Sequence, residues 1–441
     1  MPPSRKTRYR KSVIVPGATT RDAPQGGQMR SLSRFEINLA AISHNIRQVR
    51  SSLDPDVGIC AVLKADAYGL GAVRIASQLN RSGVEMFAVY TPAQAQVVLR
   101  ARLCAPVLVL APVRESGPLE QLQGALAAGY VQLTLHDEQH VRELERIAGE
   151  LHTPLAVHVE VDTGMSRGGI TCPAAADVIR AVHDSPLLRL RGIYTHLASA
   201  GHDADFTMRQ SERFDGLLRR AARWIPPDCV IHEANTFGLL RGRRHHRGMV
   251  RIGLLWAGYG PEEFAGRADT RVQDLRPVLR WMSRIVHVKE IPVGTNVGYG
   301  SIWQAQRPTR LALVPVGYAD GYPLTLGAAT GSPPGGEVGF FARDGSVTYA
   351  PVVGRVSMDQ ITVDITDIPA RSAQTGMPVE IVSDNPAAPN HLPELARRAG
   401  TVTHELLCRL GPPVHRIYVN SAADDINIIP AVRTTVPEKN H

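Results

Sequence analysis

The sequence has few cysteines, few aromatic residues and no long apolar run. Aromatic residues make up 5% of the 441 positions, and the five cysteines are dispersed without a Cys-x-x-Cys pair. An odd, scattered set argues against a disulfide framework and against a structural zinc site, so we expect no metal and a reducing, cytoplasmic location. No apolar run approaches the roughly 18 residues that cross a bilayer. The basic N-terminus lacks the apolar stretch of a secretory signal, so neither a membrane partner nor secretion is expected.

The net charge of +8 is concentrated at the N-terminus. Residues 1–30 contain seven arginines and lysines against one aspartate, which is 7 − 1 = +6 and leaves +2 for the remainder. A basic, Pro- and Gly-rich arm of this kind is typical of a solvated, disordered segment. We therefore predict a disordered arm over 1–32 and no nucleic-acid partner.

A regular alternation of strand and helix patterns begins at Arg34. Apolar residues at helical spacing predict helices over 39–51 and 72–81. The alternation predicts a TIM-like (β/α)8 barrel domain over 33–266, with a doubly wound sheet as the alternative. The predicted strands are 35–38, 59–63, 86–89, 107–110, 132–135, 156–160, 192–195, 230–232 and 249–251.

After residue 266 helical patterns become rare, and short β-like runs separated by Gly and Pro turns dominate. This texture predicts a second, mostly β domain over 267–425, followed by a tail over 426–441. Its predicted strands are 283–291, 311–315, 347–353, 360–365 and 379–382, and its predicted helices are 392–398 and 402–410.

The segment AVLKADAYGLG (61–71) places Lys64 directly after a predicted barrel strand. Barrel enzymes keep their chemistry at the carboxyl ends of the strands, and a partly desolvated lysine amine can form a Schiff base there. Taken alone, the segment is more typical of a surface lysine that follows a strand.

Polar residues recur where other predicted strands end. Hydroxyl groups and glycine amides at such positions suit a phosphate group. The segments are VDTGMSRGG with Arg167, THLAS with His196, HEANTFG with Asn235 and Thr236, and VRIGL with Arg251 and Gly253.

Together these segments resemble alanine racemase, a pyridoxal-phosphate (PLP) enzyme of fold type III. The resemblance runs from about Arg34 to Val419. It continues through GYGSIW (298–303), VGYADGYP (316–323), GRVSMDQITVDIT (354–366) and HRIY (415–418), all in the order of the family. A single motif would be a weak indication, whereas an ordered series is a strong one.

The resemblance implies that Lys64 carries PLP. Arg251 would face the pyridine nitrogen and keep it unprotonated, because a proton between two cations is costly. His196 would pack near the ring and form a hydrogen bond toward Tyr299. The phosphate and the rest of the cofactor would be bound by Tyr68, Asn235, Thr236, Gly253, Leu254 and Tyr418.

Racemisation needs an acid and a base on opposite faces of a planar carbanion. The resemblance implies Lys64 and Tyr299 for these roles, with L- and D-alanine as substrates and D-alanine biosynthesis, a source of peptidoglycan precursor, as the setting. Because the family's tyrosine comes from the partner subunit, a homodimer with two composite sites is expected. The amino-acid substrate would be contacted by Arg167, Tyr318, Met358 and Asp359.

Several positions depart from the family pattern. Many relatives have a lysine, often carbamylated, where this chain has Glu160, and we hypothesise an intrinsic Glu160–Arg167 ion pair that needs no CO2. Ala257 and Leu324 stand near segments that shape the site, which leaves the substrate preference open, including serine or a broader set. The remaining departures are Asn38, Ile252 and His404.

Three alternative functions would require other residues or another domain organisation. A decarboxylase of the same fold type would need a CESGD-like segment and a glutamate at Arg251, and neither is present. A non-catalytic PLP-binding homeostasis protein would lack the second domain. A racemase-derived protein that has lost turnover is disfavoured by the presence of Lys64, Arg251 and Tyr299. The basic run RGRRHHR (241–247) is interpreted as a solvated loop and not as a metal site.

Overall fold

The computed structural model describes residues 32–260, 272, 274–411 and 414–420. The predicted N-terminal arm lies almost wholly outside these residues. The predicted domain boundary at 266 and the tail over 426–441 also fall outside them. The two-part architecture predicted from the sequence can be followed through the described residues.

The first part alternates strands with helices. In chain order the elements are β1 (Arg34–Asn38), α1 (Leu39–Ser51), β2 (Gly58–Val62), α2 (Lys64–Tyr68), α3 (Ala72–Arg81), β3 (Met86–Val89), α4 (Pro92–Leu99), β4 (Val107–Val109), α5 (Gln123–Ala127), β5 (Val131–Leu135), α6 (Glu138–Glu150), β6 (Leu155–Asp162), β7 (Ile170–Thr171), α7 (Cys172–Asp184), β8 (Leu188–Thr195), α8 (Ala204–Ala221), β9 (Val230–His232), α9 (Thr236–Arg241) and β10 (Met249–Ile252).

Eight of these strands form a closed parallel barrel. Their order around the barrel is β10, β2, β3, β4, β5, β6, β8, β9. The ring closes between β9 and β10, where Gly248 N donates to Ile231 O at 3.0 Å and Arg251 N donates to Ala234 O at 2.9 Å. Most residues of these strands are apolar and buried, as expected for parallel strands covered by helices. The predicted (β/α)8 barrel is therefore confirmed.

The outer helices pack against the barrel through apolar stripes. Helix α1 spans the residues predicted from its spacing, and it buries Ile42, Ile46 and Val49. The Asn38 side chain caps its first turn by accepting from Ala41 N at 3.0 Å. Among the described residues, none of the helices combines the length and apolar character that crossing a membrane would require.

The second part is mostly β, as predicted. Its elements are β11 (Leu279–Arg284), β12 (His287–Ile291), β13 (Asn296–Val297), β14 (Trp303–Gln304), β15 (Thr309–Val314), β16 (Glu337–Phe341), β17 (Val347–Pro351), β18 (Ile361–Asp364), β19 (Pro378–Val382), α10 (Leu392–Arg398), α11 (Thr403–Cys408) and β20 (His415–Val419). The single strand predicted over 283–291 is two strands, β11 and β12, which belong to different sheets.

The first strand of the chain belongs to the second domain and not to the barrel. A six-stranded sheet has the order β17, β16, β19, β11, β1, β20, in which β1 pairs antiparallel with β11 and parallel with β20. The predicted assignment of 35–38 to the barrel domain is therefore wrong. The sequence of a short apolar strand does not indicate which sheet the strand will join. Here β1 lies between β11 and β20, two strands of the second domain.

Asn45 fastens α1 to the segment that leaves the barrel. Its side-chain amide donates to Trp256 O at 3.2 Å and to Arg276 O at 2.9 Å, and its oxygen accepts from Arg276 N at 2.8 Å. The side chain is fully buried. Because no water reaches these backbone groups, each would lose its partner if the amide were removed.

We expect Asn45→Ala to lower the free energy of unfolding by about 2 kcal/mol or more, because it leaves buried peptide groups unpaired. The measurement is the midpoint of guanidinium-induced unfolding followed by circular dichroism. Ser51→Ala, an exposed change on the same helix, should leave the midpoint nearly unchanged. Equal effects of the two substitutions would contradict this role for Asn45.

Candidate active site

Four of the predicted residues lie at the carboxyl ends of barrel strands. Lys64 follows β2, His196 follows β8, Asn235 follows β9, and Arg251 lies within β10. Since all eight strands are parallel, these ends meet at one mouth of the barrel. The charges of Lys64 and Arg251 both act on His196, so the structure brings these three residues together.

The chain makes a left-handed turn directly after Lys64. Residues 65–68 have φ angles between 53° and 56°, and none of them is glycine. Such a run is unfavourable by roughly 1–2 kcal/mol per residue, and strain of this kind is concentrated at functional sites. The turn buries Tyr68 against Trp256, with the two rings stacked at 5.8 Å.

Two tyrosine hydroxyls and two glycines form a close-fitting wall beside this turn. A Cβ on Gly253 would lie 2.6 Å from the Tyr68 hydroxyl, and a Cβ on Gly71 would lie 1.9 Å from the Tyr418 hydroxyl. The Tyr418 hydroxyl donates to Leu70 O at 3.0 Å. The glycines therefore make room for the two phenols at the mouth.

Arg251 is buried at the mouth and has neutral hydrogen-bond partners. Its guanidinium donates to Thr195 O at 2.8 Å, to Glu233 O at 3.2 Å and to His232 Nδ1 at 3.1 Å. It also lies 5.1 Å from the centre of the Tyr194 ring. Within the described residues it forms no ion pair with a carboxylate. Burial lowers the pKa of Arg251, but a guanidinium stays protonated in a protein.

His196 is held as a neutral imidazole. Arg251 approaches its Nδ1 at 3.4 Å, and the Asn235 amide approaches its Nε2 at 3.4 Å. Burial, together with the charges of Arg251, Arg167 and Lys64, lowers the pKa of His196 to about 3. A guanidinium can only donate, so Nδ1 is the acceptor, and a second proton there would be set against Arg251.

Asn235 shapes the loop that precedes Thr236. Its oxygen accepts from Gly238 N at 2.9 Å, which caps α9, and its amide donates to Leu197 O at 3.0 Å. Both ends of the side chain are therefore engaged with backbone. This fixes the position of Thr236 relative to the end of β8.

Glu160 has a different partner from the one predicted. Its carboxylate lies 3.1 Å from His136 Nδ1, while His136 Nε2 lies 2.9 Å from Leu110 O. Arg167 is exposed and forms no ion pair with Glu160 among the described residues. The predicted Glu160–Arg167 pair is therefore wrong for this chain, because a neighbouring barrel strand supplies a closer base.

The solvated loop predicted over 241–247 is wrong at its two histidines, whereas Arg243 and Arg244 are exposed. His245 and His246 are buried. His245 Nδ1 lies 2.9 Å from Glu233 Oε1, and His246 Nε2 lies 3.0 Å from Leu239 O. Arg247 pairs with the other Glu233 oxygen at 3.1 Å. The buried Glu233 is the reason that this segment folds inward. No group of three potential metal ligands is present in the described parts of the chain.

The remaining predicted residues lie on loops of the second domain, and the loop of Tyr299 passes beside the one that leads to Met358, since a Cβ on Gly298 would lie 3.4 Å from Arg355 N. Tyr318 N donates to Ser357 O at 3.1 Å, and Ala319 N donates to Met358 O at 3.0 Å, which joins two loops into one surface. We call it the tyrosine face, and its residues are Tyr299 (72% exposed), Tyr318 (46%), Met358 (54%) and Asp359.

His232 was not identified from the sequence. It lies on β9 inside the barrel, where it accepts from Arg251 and stacks on Tyr194 at 4.9 Å. The sequence did place His232 at the end of a predicted strand, directly before Glu233. A lone histidine in a short apolar strand is, however, more often a core residue than a functional one. Only the closed barrel brings it beside Arg251.

Comparison with known protein families gives two matches along the chain. The family described as "Alanine racemase, N-terminal domain" matches residues 37–261, and "Alanine racemase, C-terminal domain" matches residues 278–418. The two matches correspond to the barrel and to the β domain.

Individual proteins with the same arrangement were also found. An alanine racemase from Halothermothrix orenii is 32% identical over 387 residues, covering 87% of this chain and 96% of that protein. The structure of alanine racemase from Streptomyces coelicolor A3(2) is 29% identical with a TM-score of 0.78, covering 89% of this chain and 99% of that one. An alanine racemase structure from Bartonella henselae with covalently bound pyridoxal phosphate is 27% identical with a TM-score of 0.72, covering 88% and 99%.

The low pKa of His196 predicts an acid-sensitive contribution to stability. The unfolded chain binds a proton at this residue below about pH 6.5, and the folded chain does not until about pH 3, so stability is lost as the pH falls between these values. We expect His196→Gln to make the fall in unfolding midpoint between about pH 7 and pH 4 shallower. The control is His183→Gln at an exposed position. Parallel curves for His196→Gln and the parent would contradict the assignment.

Proposed function

This chain belongs to the alanine racemase family, and on that basis we propose that it is a PLP-dependent isomerase that interconverts L- and D-alanine. The observation that carries the proposal is the meeting of Lys64, His196 and Arg251 at one barrel mouth. We also propose a cytoplasmic location, because all five cysteines are unpaired thiols.

The residues at the mouth fit PLP. Lys64 supplies an amine for covalent attachment, and the Tyr68 hydroxyl beside Gly253 forms a cradle that a Cβ would fill. We propose that the phosphate is bound by Tyr68, Thr236, Tyr418 and the amides of Gly253 and Leu254. Because both ends of its amide are engaged, Asn235 would position Thr236 and contact the cofactor only at its edge.

Arg251 and His196 would set the electrostatics of the cofactor ring. A cation without a carboxylate partner, placed against the pyridine nitrogen, disfavours protonation there. The neutral His196 adds no second charge. Both residues are therefore suited to limit how far negative charge spreads from the substrate, which favours proton return over side reactions.

PLP, when bound, would acidify the α-hydrogen of an amino acid attached to it. The chain's own task is then to remove that proton from one face and return it to the other. We propose that Lys64 Nζ moves the proton on one face and the Tyr299 hydroxyl on the opposite face. A tyrosine has an ordinary pKa of about 10, so its ionised form must be favoured by neighbours in the assembled site.

The tyrosine face would complete the site from a partner subunit. Tyr299, Tyr318 and Met358 are largely exposed in one chain, and an exposed apolar cluster of this kind is typical of an interface. We propose a homodimer in which this face of one subunit closes the barrel mouth of the other. Tyr318 and Met358 would then narrow the entrance and contact the alanine carboxylate through side chain and backbone, with Arg167 and Asp359 completing the substrate-binding set.

The experiment that tests the activity is Lys64→Ala, assayed by chiral chromatography of products from L-alanine with PLP present. We expect loss of D-alanine formation by about a thousandfold or more and loss of the absorbance of lysine-bound cofactor. Lys289→Ala is the matched control, because Lys289 is exposed on the second domain. A Lys64→Ala protein that racemises alanine at the parent rate would overturn the proposal.

Mixed dimers test the composite site. A dimer of one Lys64→Ala chain and one Tyr299→Phe chain would contain one intact site, because each chain supplies what the other lacks. Unfolding and refolding an equal mixture should give roughly a quarter of the parent activity, since half of the dimers are mixed.

Each variant refolded alone should stay inactive, and Tyr130→Phe with Lys64→Ala is the matched control mixture. Tyr130 precedes β5, at the end of the barrel away from the mouth. In that control mixture, activity should come only from the sites in which a Tyr130→Phe chain supplies Lys64. Activity of the Lys64→Ala and Tyr299→Phe mixture no greater than the sum of its parts would contradict sites shared between subunits.

A further inference from the structure

A continuous row of polar side chains runs through the barrel interior beneath Arg251. Arg251 on β10 contacts His232 on β9, with 3.1 Å between the guanidinium and His232 Nδ1. His232 Nε2 lies 3.1 Å from Nδ1 of His158 on β6. His158 Nε2 lies 2.6 Å from Oε1 of Gln132 on β5. Both histidines are fully buried, and Gln132 is 6% exposed.

The direction of every hydrogen bond in this row is determined by its two ends. A guanidinium can only donate, so His232 must accept at Nδ1 and carry its proton on Nε2. That proton is donated to His158 Nδ1, and His158 Nε2–H is then donated to Gln132 Oε1. The Gln132 amide donates to Gly129 O at 3.4 Å, which fixes its orientation.

The surrounding barrel is shaped to hold the His158 ring. A Cβ on Gly192 of β8 would lie 2.1 Å from His158 Nδ1, so no larger residue fits beside the ring. The pairing of β6 with β8 also shifts register between Val157 and His158. On the other side of the row, the Tyr194 ring stacks on His232.

We propose that His158 and Gln132 are positioning residues, which hold His232 in the one tautomer that accepts from Arg251 and so fix the orientation and free charge of that guanidinium. Neither residue touches the mouth, so neither is catalytic. The expected effect of these residues on alanine turnover rests on the proposed function. The tautomers of the two histidines follow from the hydrogen bonds alone and do not depend on that function.

The charges around the row keep it neutral. His158 is faced by Arg251 from β10, by His232 from β9, and by Arg191 from β8, while Tyr194 and Glu160 lie near Arg251. Burial and the two arginines lower the pKa of His158 to about 3, and burial with Arg251 holds the pKa of His232 well below its usual value. A proton added to either ring would set two N–H groups against each other and break the row.

The first test is nitrogen-15 NMR of the full-length protein labelled in histidine, with the two resonance sets identified by their loss in His158→Gln and His232→Gln. We expect both histidines as Nε2–H tautomers, without titration between about pH 5 and pH 8. An Nδ1–H tautomer or a charged ring at either position would overturn the proposal. The spectrum is independent of turnover, so it decides the matter even if the protein proves unable to racemise alanine.

The second test is Gln132→Glu, which replaces a neutral acceptor with a carboxylate of nearly the same shape. The carboxylate favours a charged His158, whose Nδ1–H would force His232 into the tautomer that repels Arg251. We expect the charged ring in the NMR spectrum. We also expect a roughly tenfold fall of kcat for alanine, with little change of KM, that appears only on the acid side between about pH 5 and pH 8.

Thr134→Val is the matched control. Thr134 is buried on the same strand and contacts Tyr194 at 3.5 Å, but it lies outside the row. Thr134→Val should lower the stability of the protein, but it should not cause a fall of kcat on the acid side or alter the tautomer of either histidine. If Gln132→Glu behaves like Thr134→Val, with a neutral His158 and an unchanged pH profile, Gln132 has only a structural role and the proposal fails.

Discussion

The guanidinium of Arg251, buried among neutral acceptors, is the interaction on which the rest of the site depends. It joins the end of β8 through Thr195 O to the end of β9 through Glu233 O. Glu233 contacts Arg251 through its backbone carbonyl, while its carboxylate is engaged by His245 and Arg247. Only the Glu233 carbonyl faces Arg251. The charge of Arg251 is therefore free to act on a group bound at the barrel mouth. The same charge helps to keep His196 neutral.

The two domains divide the work of the proposed site. The barrel supplies Lys64, Arg251 and the phosphate cradle on strand ends that are fixed by parallel pairing. The β domain displays the tyrosine face, which finds no counterpart in its own chain among the described residues. Strand β1 ties the start of the barrel into the six-stranded sheet. In the proposed homodimer, a second chain would bring these two sets of residues together.

The parts that the sequence predicted well are those encoded locally. The apolar spacing of 39–51 specified α1 to the residue, and the lysine after a strand specified the mouth. What it missed depends on contacts between distant segments. The sheet that β1 joins, the turn of Glu160 toward His136, and the burial of His245 by Glu233 are set by neighbours 12 (245 − 233) to 381 (415 − 34) positions away. Local periodicity carries no information about such partners, which is why those three predictions failed.

The most direct test of the account is to incubate the PLP-loaded protein with L-alanine in deuterated water and to follow chirality, α-deuterium and pyruvate together. The account predicts D-alanine that carries α-deuterium, with almost no pyruvate, because an uncompensated Arg251 favours return of the proton over side reactions. Exchange of the α-hydrogen without formation of D-alanine would contradict a second base, Tyr299, on the opposite face. Pyruvate accumulating in step with exchange, or no exchange at all, would contradict the central claim that this mouth is built for clean proton transfer on alanine.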